Sequence, residues 1–361
     1  MSIIKVDKIQ NTAGVDFSYG AFRNKIQNAD FSIDMRNIGS AFTANSNTQY
    51  IVNRWLAQDS SDGTFTAQRI DSDPPPNGHF CLKITTTSAD ASLSAAQTAF
   101  IRQHIEGKNI IDLGFGTSYA STIALSFYVK SSLTGNFGGA INNSAEDRSY
   151  PFTYAISSAN TWEKKEVIIA GDTSGTWLKN NMIGMRVVFG LGVGSTYSGT
   201  SGAWAGSHLL APTSSVSVIS TLSATWQIAN VQLEKGNKST PFELLPPDVN
   251  TRICKRYHQR FQGTTSGAGA RIGGLSGNGS GCFYTLPVPM RAAPSDTTGG
   301  DSFKIRNSSD SDATITDIRA GQFYDRQDEY SVLRFDGSSM NSACTIRMQD
   351  DDDYLDLNAE L

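Results

Sequence analysis

No stretch of this chain approaches the roughly 20 consecutive apolar residues that carry a helix across a bilayer, so no membrane insertion is expected. Charge of one sign is not in excess: 30 Lys and Arg stand against 34 Asp and Glu. A chain so balanced makes no electrostatic case for nucleic acid. Cysteine is sparse, and Cys81, Cys254, Cys282 and Cys344 lie far apart without a CxxC pair. His79, His104, His208 and His258 are not paired at metal spacing either, which excludes a clustered zinc site. His79 and Cys81 together read as a core thiol beside a surface or half-buried imidazole, and buried free thiols suit a reducing cytoplasm. Neither GxSxG nor HExxH occurs, and the glycines of Gly114-Phe-Gly116 and of Gly190, Gly192 and Gly194 lack the Lys-Ser/Thr that completes a phosphate loop. A glycosidase carboxylate pair is a matter of fold geometry that composition does not decide. The opening residues Met1 to Gln10 lack a continuous apolar core and cleavage site, so no secretory leader is expected.

What the sequence does have is strand pattern and turn residues. Charged residues make up 18% of the chain, 33 residues are Gly, and helix-former runs are scarce. That composition suits β-sandwiches with tight turns. Phe31, Ile33 and Met35 alternate with polar residues and predict a strand. Further strands are expected at 50–55, 80–84, 123–130, 150–156, 166–170 and 185–193. Gly190, Gly192 and Gly194 face outward in this pattern and invite close approach by a neighbouring sheet or ligand. In Trp226 to Leu233 the apolar phase slips by one residue between Ile228 and Val231, which predicts a β-bulge. Gly236, Pro241 and Pro246-Pro247 then end the strand and form a hinge.

The expected architecture is all-β: an N-terminal extension (1–22), a jelly-roll β-sandwich (23–245) and a smaller C-terminal β domain (251–361). The extension carries Ile3, Ile4, Val6 and Ile9 among charged residues and reads as a docking arm or as a plain first strand. In the C-terminal domain Pro287 and Pro289 are expected to confine their strand to a sheet edge. Its stretch 301–361 holds 14 acidic and 6 basic residues, net −8. Arg252, Lys255, Arg256 and Arg260 form a basic cluster at the hinge, expected to hold this acidic domain within or between subunits. The Asp350 to Asp353 run offers oxygens for a structural calcium, but it lacks the Gly and alternate spacing of a calcium loop and reads better as a solvated turn. No other cofactor is expected. Among loop aromatics, Trp204, Tyr197 and Trp177 sit in Gly/Ser-rich segments. They fit subunit packing, sugar stacking or loop anchoring.

Three blocks resemble one family. They are Phe22-Arg-Asn-Lys-Ile26 with Asn53-Arg-Trp55; Gln103-His-Ile-Glu-Gly107 with Leu125-Ser-Phe127-Tyr-Val129-Lys130; and, most specific, Val231-Gln-Leu-Glu-Lys-Gly236 with Thr240-Pro-Phe-Glu243 and Cys254-Lys-Arg-Tyr257. In their order they are similar to bacteriophage tail-fibre and virion appendage proteins, with departures at Met35, Asn37 and Asn53. The resemblance implies a homotrimeric, non-enzymatic virion protein with a carbohydrate-binding-module-like jelly roll. It would dock to other virion proteins through its arm and take part in host adsorption, with a host glycan as partner. Alternatives are a capsid or vertex decoration protein, a carbohydrate-binding receptor module, and a glycan-degrading enzyme.

Overall fold

The structure, a computed structural model, describes residues 22–262, 270–276, 281–299, 304–307, 312–313, 315–322, 330–337, 343–348 and 354–361. Two compact units divide the chain, Met1–Pro246 and Pro247–Leu361. The arm residues Ile3, Ile4, Val6 and Ile9 and the Asp350 to Asp353 run lie outside the described residues.

The first unit is a jelly-roll β-sandwich. Its strands are β1 (Phe42–Thr43), β2 (Gln49–Val52), β3 (Trp55–Asp59), β4 (Thr64–Ile70), β5 (Cys81–Ser88), β6 (Thr98–Glu106), β7 (Ile123–Ser131), β8 (Gly135–Asn142), β9 (Ser149–Ile156), β10 (Glu163–Ile169), β11 (Ile183–Val193), β12 (Ser198–Gly199), β13 (Ala211–Pro212) and β14 (Thr225–Lys235). Twelve of them form two six-stranded sheets, with the orders β1-β4-β5-β14-β7-β10 and β2-β3-β6-β11-β8-β9, and the chain crosses between the sheets repeatedly except at the β2–β3, β4–β5 and β8–β9 hairpins. Inward side chains of both sheets build one core. Trp226 of the first sheet lies 5.8 Å from Phe189 of the second, and Phe127 lies 5.1 Å from the same ring. The buried Trp226 indole donates to Tyr154 Oη at 3.1 Å, which satisfies the polar end of each ring inside the core.

The bulge in β14 is present. Ala229 pairs with Tyr128 and Gln232 with Ser126, so two residues of β14 face Phe127 alone. Asn230 takes up the kink at φ 51°. Before the bulge β14 pairs with β5. Beyond it, residues 24–29 take over that side: Lys25 N–H donates to Leu233 O at 2.8 Å, and Val231 N–H to Ala29 O at 3.0 Å.

The strand expected at Phe31, Ile33 and Met35 does not form. Side-chain carbonyls and carboxylates capture the backbone there instead. Asn28 Oδ1 accepts from Ile33 N–H at 3.0 Å, and Asp34 accepts from the N–H groups of Asn37 and Gly39 at 3.0 and 2.8 Å. Residues 50–55 are two strands, because Arg54 at φ 73° turns β2 into β3. Strand β8 escaped the periodicity because Gly138 and Gly139 interrupt it. A Cβ at Gly139 would lie 2.0 Å from Val188 O. Gly190 and Gly192 do accept a close neighbour, and it is the chain's own 211–219 segment: Cβ atoms there would meet Ala211 Cβ at 3.1 Å and Ile219 Cγ2 at 2.4 Å.

The second unit opens with a helix that an all-β reading did not include, α1 (Pro247–Lys255). Pro247 starts it, Asp248 sits in its first turn, and Arg252 and Lys255 sit in its last, each favourable to the helix dipole. Its buried residues are Asn250 and Cys254, so there is no apolar stripe for periodicity to detect. Next come β15 (His258–Gln262), β16 (Ala270–Ser276), β17 (Gly281–Met290), β18 (Ser295–Gly299), β19 (Lys304–Asn307), β20 (Asp312–Ala313), β21 (Ile315–Gln322), β22 (Tyr330–Gly337), β23 (Ala343–Met348) and β24 (Tyr354–Asn358). They form a three-stranded sheet, β15-β24-β18, and a seven-stranded one, β20-β19-β23-β16-β17-β22-β21. Strand β17 is therefore internal, not an edge. Pro287 and Pro289 are tolerated because pairing with β22 lapses between Thr285 and Met290. Leu286, Met290, Leu333, Phe335, Leu355 and Leu357 form the core of this unit.

Candidate functional site

The three aromatics expected at a binding loop are not brought together as one platform. Trp177 is 5% exposed and is a core residue. Trp204 is half-buried against it, with ring centroids 5.5 Å apart, and Phe115 and Tyr150 complete a four-ring cluster. The Trp204 indole donates to Ala170 O at 2.7 Å and the Trp177 indole to Ser174 O at 3.2 Å, so both polar edges are used by the fold. An ion pair closes the same corner, Arg148 clasping Asp172 at 2.7 and 2.8 Å. Tyr197 lies elsewhere, 5.1 Å from the His208 ring.

The basic residues of the hinge separate as well. Arg252 and Lys255 end α1, while Arg260 on β15 clasps Asp356 of β24 at 2.9 and 3.0 Å and lies 4.3 Å over the Tyr354 ring. His258 reaches the same carboxylate at 3.3 Å. Burial raises the Asp356 pKa, but His258 and Arg260 outweigh it and hold the carboxyl below its ordinary value. Arg256 contributes its carbonyl to Arg291 N–H at 3.0 Å.

The site that sequence reasoning missed lies where β14 bulges. A groove of about 460 Å³ opens on the outer face of the first sheet, within the size range of small-ligand sites. Its floor is Ser126 and Tyr128 of β7 with Asn230 of the bulge, and Lys164 of β10 borders it. Tyr128 pairs with both Lys164 and Ala229, which fixes it between those strands. One wall is the 73–78 turn, where Asn77 (φ 56°) lines the groove and Gly78 packs over Asn230. A Cβ on Gly78 would come within 3.2 Å of Asn230 Nδ2 and 2.6 Å of Pro75 Cγ.

The other wall is a strap, residues 236–244, carrying Ser239, Pro241, Phe242 and Leu244. The hinge motif holds it down. Gln232 and Glu234 point away from the core yet are buried, because the strap covers them. Glu234 Oε1 accepts from Thr240 N–H at 2.7 Å and from Gln232 Nε2 at 2.8 Å, and Glu234 Oε2 accepts from Thr240 Oγ1 at 2.8 Å. Gln232 Oε1 accepts from Glu243 N–H at 2.7 Å. Glu166 takes both the N–H and the hydroxyl of Ser239. Glu243 in turn accepts from Phe22 and Asn24 N–H at 2.8 and 2.9 Å, so the chain enters and leaves this unit at one place. The Gln-x-Glu and Thr-Pro-Phe-Glu pieces are thus two halves of one clamp. The slipped alternation and the two motif pieces were visible in the sequence, but not that they bind each other.

Beside the groove, Asp73 binds Lys130 Nζ at 2.7 Å and Gln227 Nε2 at 3.1 Å. Burial raises the Asp73 pKa, and these donors together with Trp162 hold it below its ordinary value. Cys81, buried behind, has its thiol pushed up to about 12 by burial and by Asp73. Chemically, the groove pairs apolar surface (Tyr128, Phe242, Leu244) with amide, hydroxyl and ammonium groups. Its described lining residues include no carboxylate or imidazole. Among the described residues no group of three or more His, Cys, Asp or Glu is placed to hold a metal ion, and no helix is long and apolar enough to cross a membrane.

No protein-family model matches this chain, and no curated protein matches it. Solved structures with partial likeness include a putative sugar binding protein from Bacteroides thetaiotaomicron VPI-5482, at 15% identity over 59% of this chain and 100% of that one, with a TM-score of 0.36. Another is the enzymatically active domain of bacteriophage CBA120 tailspike protein 4, at 10% identity over 59% of this chain and 22% of that one, with a TM-score of 0.32. A carbohydrate-binding module, CBM4, gives 14% identity over 58% and 99%, with a TM-score of 0.29. All three scores are low, so function is read from the chain's own residues.

Proposed function

We propose that this chain is a structural protein of a phage appendage, a homotrimeric short fibre that takes part in host adsorption and holds a host-surface glycan in the β14 groove without cleaving it. The observation that carries the binding reading is the groove itself: Tyr128 and Phe242 supply apolar ring surface while Asn77, Asn230, Ser126 and Lys164 supply hydrogen bonds, the combination a polyhydroxyl ligand needs. The three motif blocks that resemble those of virion appendage proteins, in the same order, support the particle assignment. The arm at residues 1–22 is assigned to docking on other virion proteins.

The test is binding of purified protein to extracted host polysaccharide. Tyr128→Ala is expected to weaken binding by about tenfold or more, the loss of one aromatic contact, with an unchanged native mass. Unaltered binding by Tyr128→Ala and Phe242→Ala would remove the groove from the proposal. Release of reducing ends from the polysaccharide by wild-type protein would replace it with the depolymerase reading.

A further inference from the structure

The outer face of the second sheet carries more positive charge than its own residues neutralise. Arg102 on β6 and Arg186 on β11 both point away from the core, since Ile101 and Val187 beside them point into it. One carboxylate serves both. Glu146, at φ 58° in the β8–β9 turn, lies 3.0 Å from Arg102 Nη1 and 3.4 Å from Arg186 Nε. His208 Nε2 approaches its other oxygen at 3.4 Å. Arg186 has further anchors, donating through Nη1 to the carbonyls of Asn143 and Ser144 at 2.7 Å each. Arg102 has fewer: among the described residues its side chain makes one hydrogen bond, to Glu146, its guanidinium carbon lies 5.2 Å over the Phe100 ring, and its Nε is buried without a hydrogen-bond partner.

Both arginine side chains are 11% exposed, so they have lost most of their water while two positive charges face one negative. A half-buried excess cation is unfavourable unless an anion joins it. Around the pair, Leu56, Phe100, Val188 and Leu210 form an apolar floor against which Tyr50 and Tyr197 pack.

We infer that this face binds the carboxylate of an acidic sugar, with Arg102 as its principal donor and Arg186 as its second. A guanidinium fork matches a carboxylate with two parallel N–H···O bonds. Tyr50, over which Arg36 lies at 4.9 Å, and Tyr197, 5.1 Å from the His208 ring, place amphipathic rings beside the charge, which suits a sugar ring better than a bare ion. The site lies on the sheet opposite the β14 groove, so it stands or falls independently of glycan binding there.

The experiment titrates glucuronate into the full chain by calorimetry, with glucose, the methyl ester of glucuronate and sulfate as comparisons. Glucuronate is expected to bind about tenfold or more tightly than either neutral sugar, the scale of one charged hydrogen bond. Arg102→Gln is expected to lose that preference. Glu146→Gln removes the internal competitor and keeps the side-chain shape, so glucuronate should bind about threefold or more tightly to it, a fraction of the same charged-bond scale. Thermal unfolding confirms that each variant is folded, and Glu146→Gln alone decides the matter if Arg102→Gln is not. Equal binding of glucose and glucuronate, absence of glucuronate binding, or no gain with Glu146→Gln would overturn the inference. Sulfate binding as well as glucuronate would reduce the site to a general anion pocket and overturn the sugar assignment.

Discussion

Replacing Glu234 with Ala removes the centre of the clamp beside the groove. In the native structure its carboxylate accepts from Thr240 N–H, Thr240 Oγ1 and Gln232 Nε2 at 2.7 to 3.0 Å. A hydrogen bond to a charged group contributes about 1.5–3 kcal/mol, and such bonds in one network do not add fully. Thr240 is only half-buried, so water partly rescues its donors. Gln232 also keeps weaker contacts to Thr240 O and Pro241 O at 3.3 and 3.4 Å. The net loss expected for Glu234→Ala is about 2–4 kcal/mol, against about 1 kcal/mol for Glu234→Gln, which retains one acceptor. The assay is urea unfolding followed by tryptophan emission. All five tryptophans, Trp55, Trp162, Trp177, Trp204 and Trp226, lie in the first unit, so the signal reports on that unit even though the chain has two. Amide exchange at Thr240 and Glu243 should quicken in the same variant, and groove binding should weaken. A loss below about 0.5 kcal/mol, the size of a neutral surface change, with Thr240 exchange unaltered, would refute the clamp.

Two other perturbations follow from the same packing. Gly139→Ala places a methyl 2.0 Å from the Val188 carbonyl of the neighbouring strand, a backbone atom that cannot move aside cheaply. It should destabilise the first unit by about 3 kcal/mol or more, read by thermal unfolding. Cys81, whose thiol is pushed up to about 12, stays protonated at neutral and mildly alkaline pH, and only the thiolate attacks alkylating reagents. Site-resolved mass spectrometry after iodoacetamide treatment of folded protein should find Cys81 unmodified and, after unfolding, modified. Rapid labelling in the folded state would contradict its burial.

The strands with uninterrupted alternation were legible. Ile123 to Lys130 and Met185 to Val193 lie in β7 and β11, and the phase slip in Trp226 to Leu233 is the bulge of β14. Alternation at Phe31, Ile33 and Met35 misled because Asn28 and Asp34 offer the backbone nearer partners than any strand. The helix α1 was silent because its buried face holds Asn250 and Cys254 in place of an apolar stripe. The loop tryptophans were read from exposure that a sequence does not contain. Trp177 and Trp204 find Phe115 and Tyr150, residues distant in the chain.

The sequence by itself determined an all-β chain, a sandwich closed by a bulged strand, and the motifs Gln232-Leu-Glu234 and Thr240-Pro-Phe-Glu243. These are local properties: side-chain period, turn residues and a one-residue slip. Only the tertiary structure decided that those two motifs clamp each other, that the clamp walls a groove on Tyr128, and that Arg102, Arg186 and His208 converge on Glu146. Convergence of this kind depends on which strands are neighbours and in what register. Register is set by long-range pairing and burial across both sheets, which spacing along the chain does not encode.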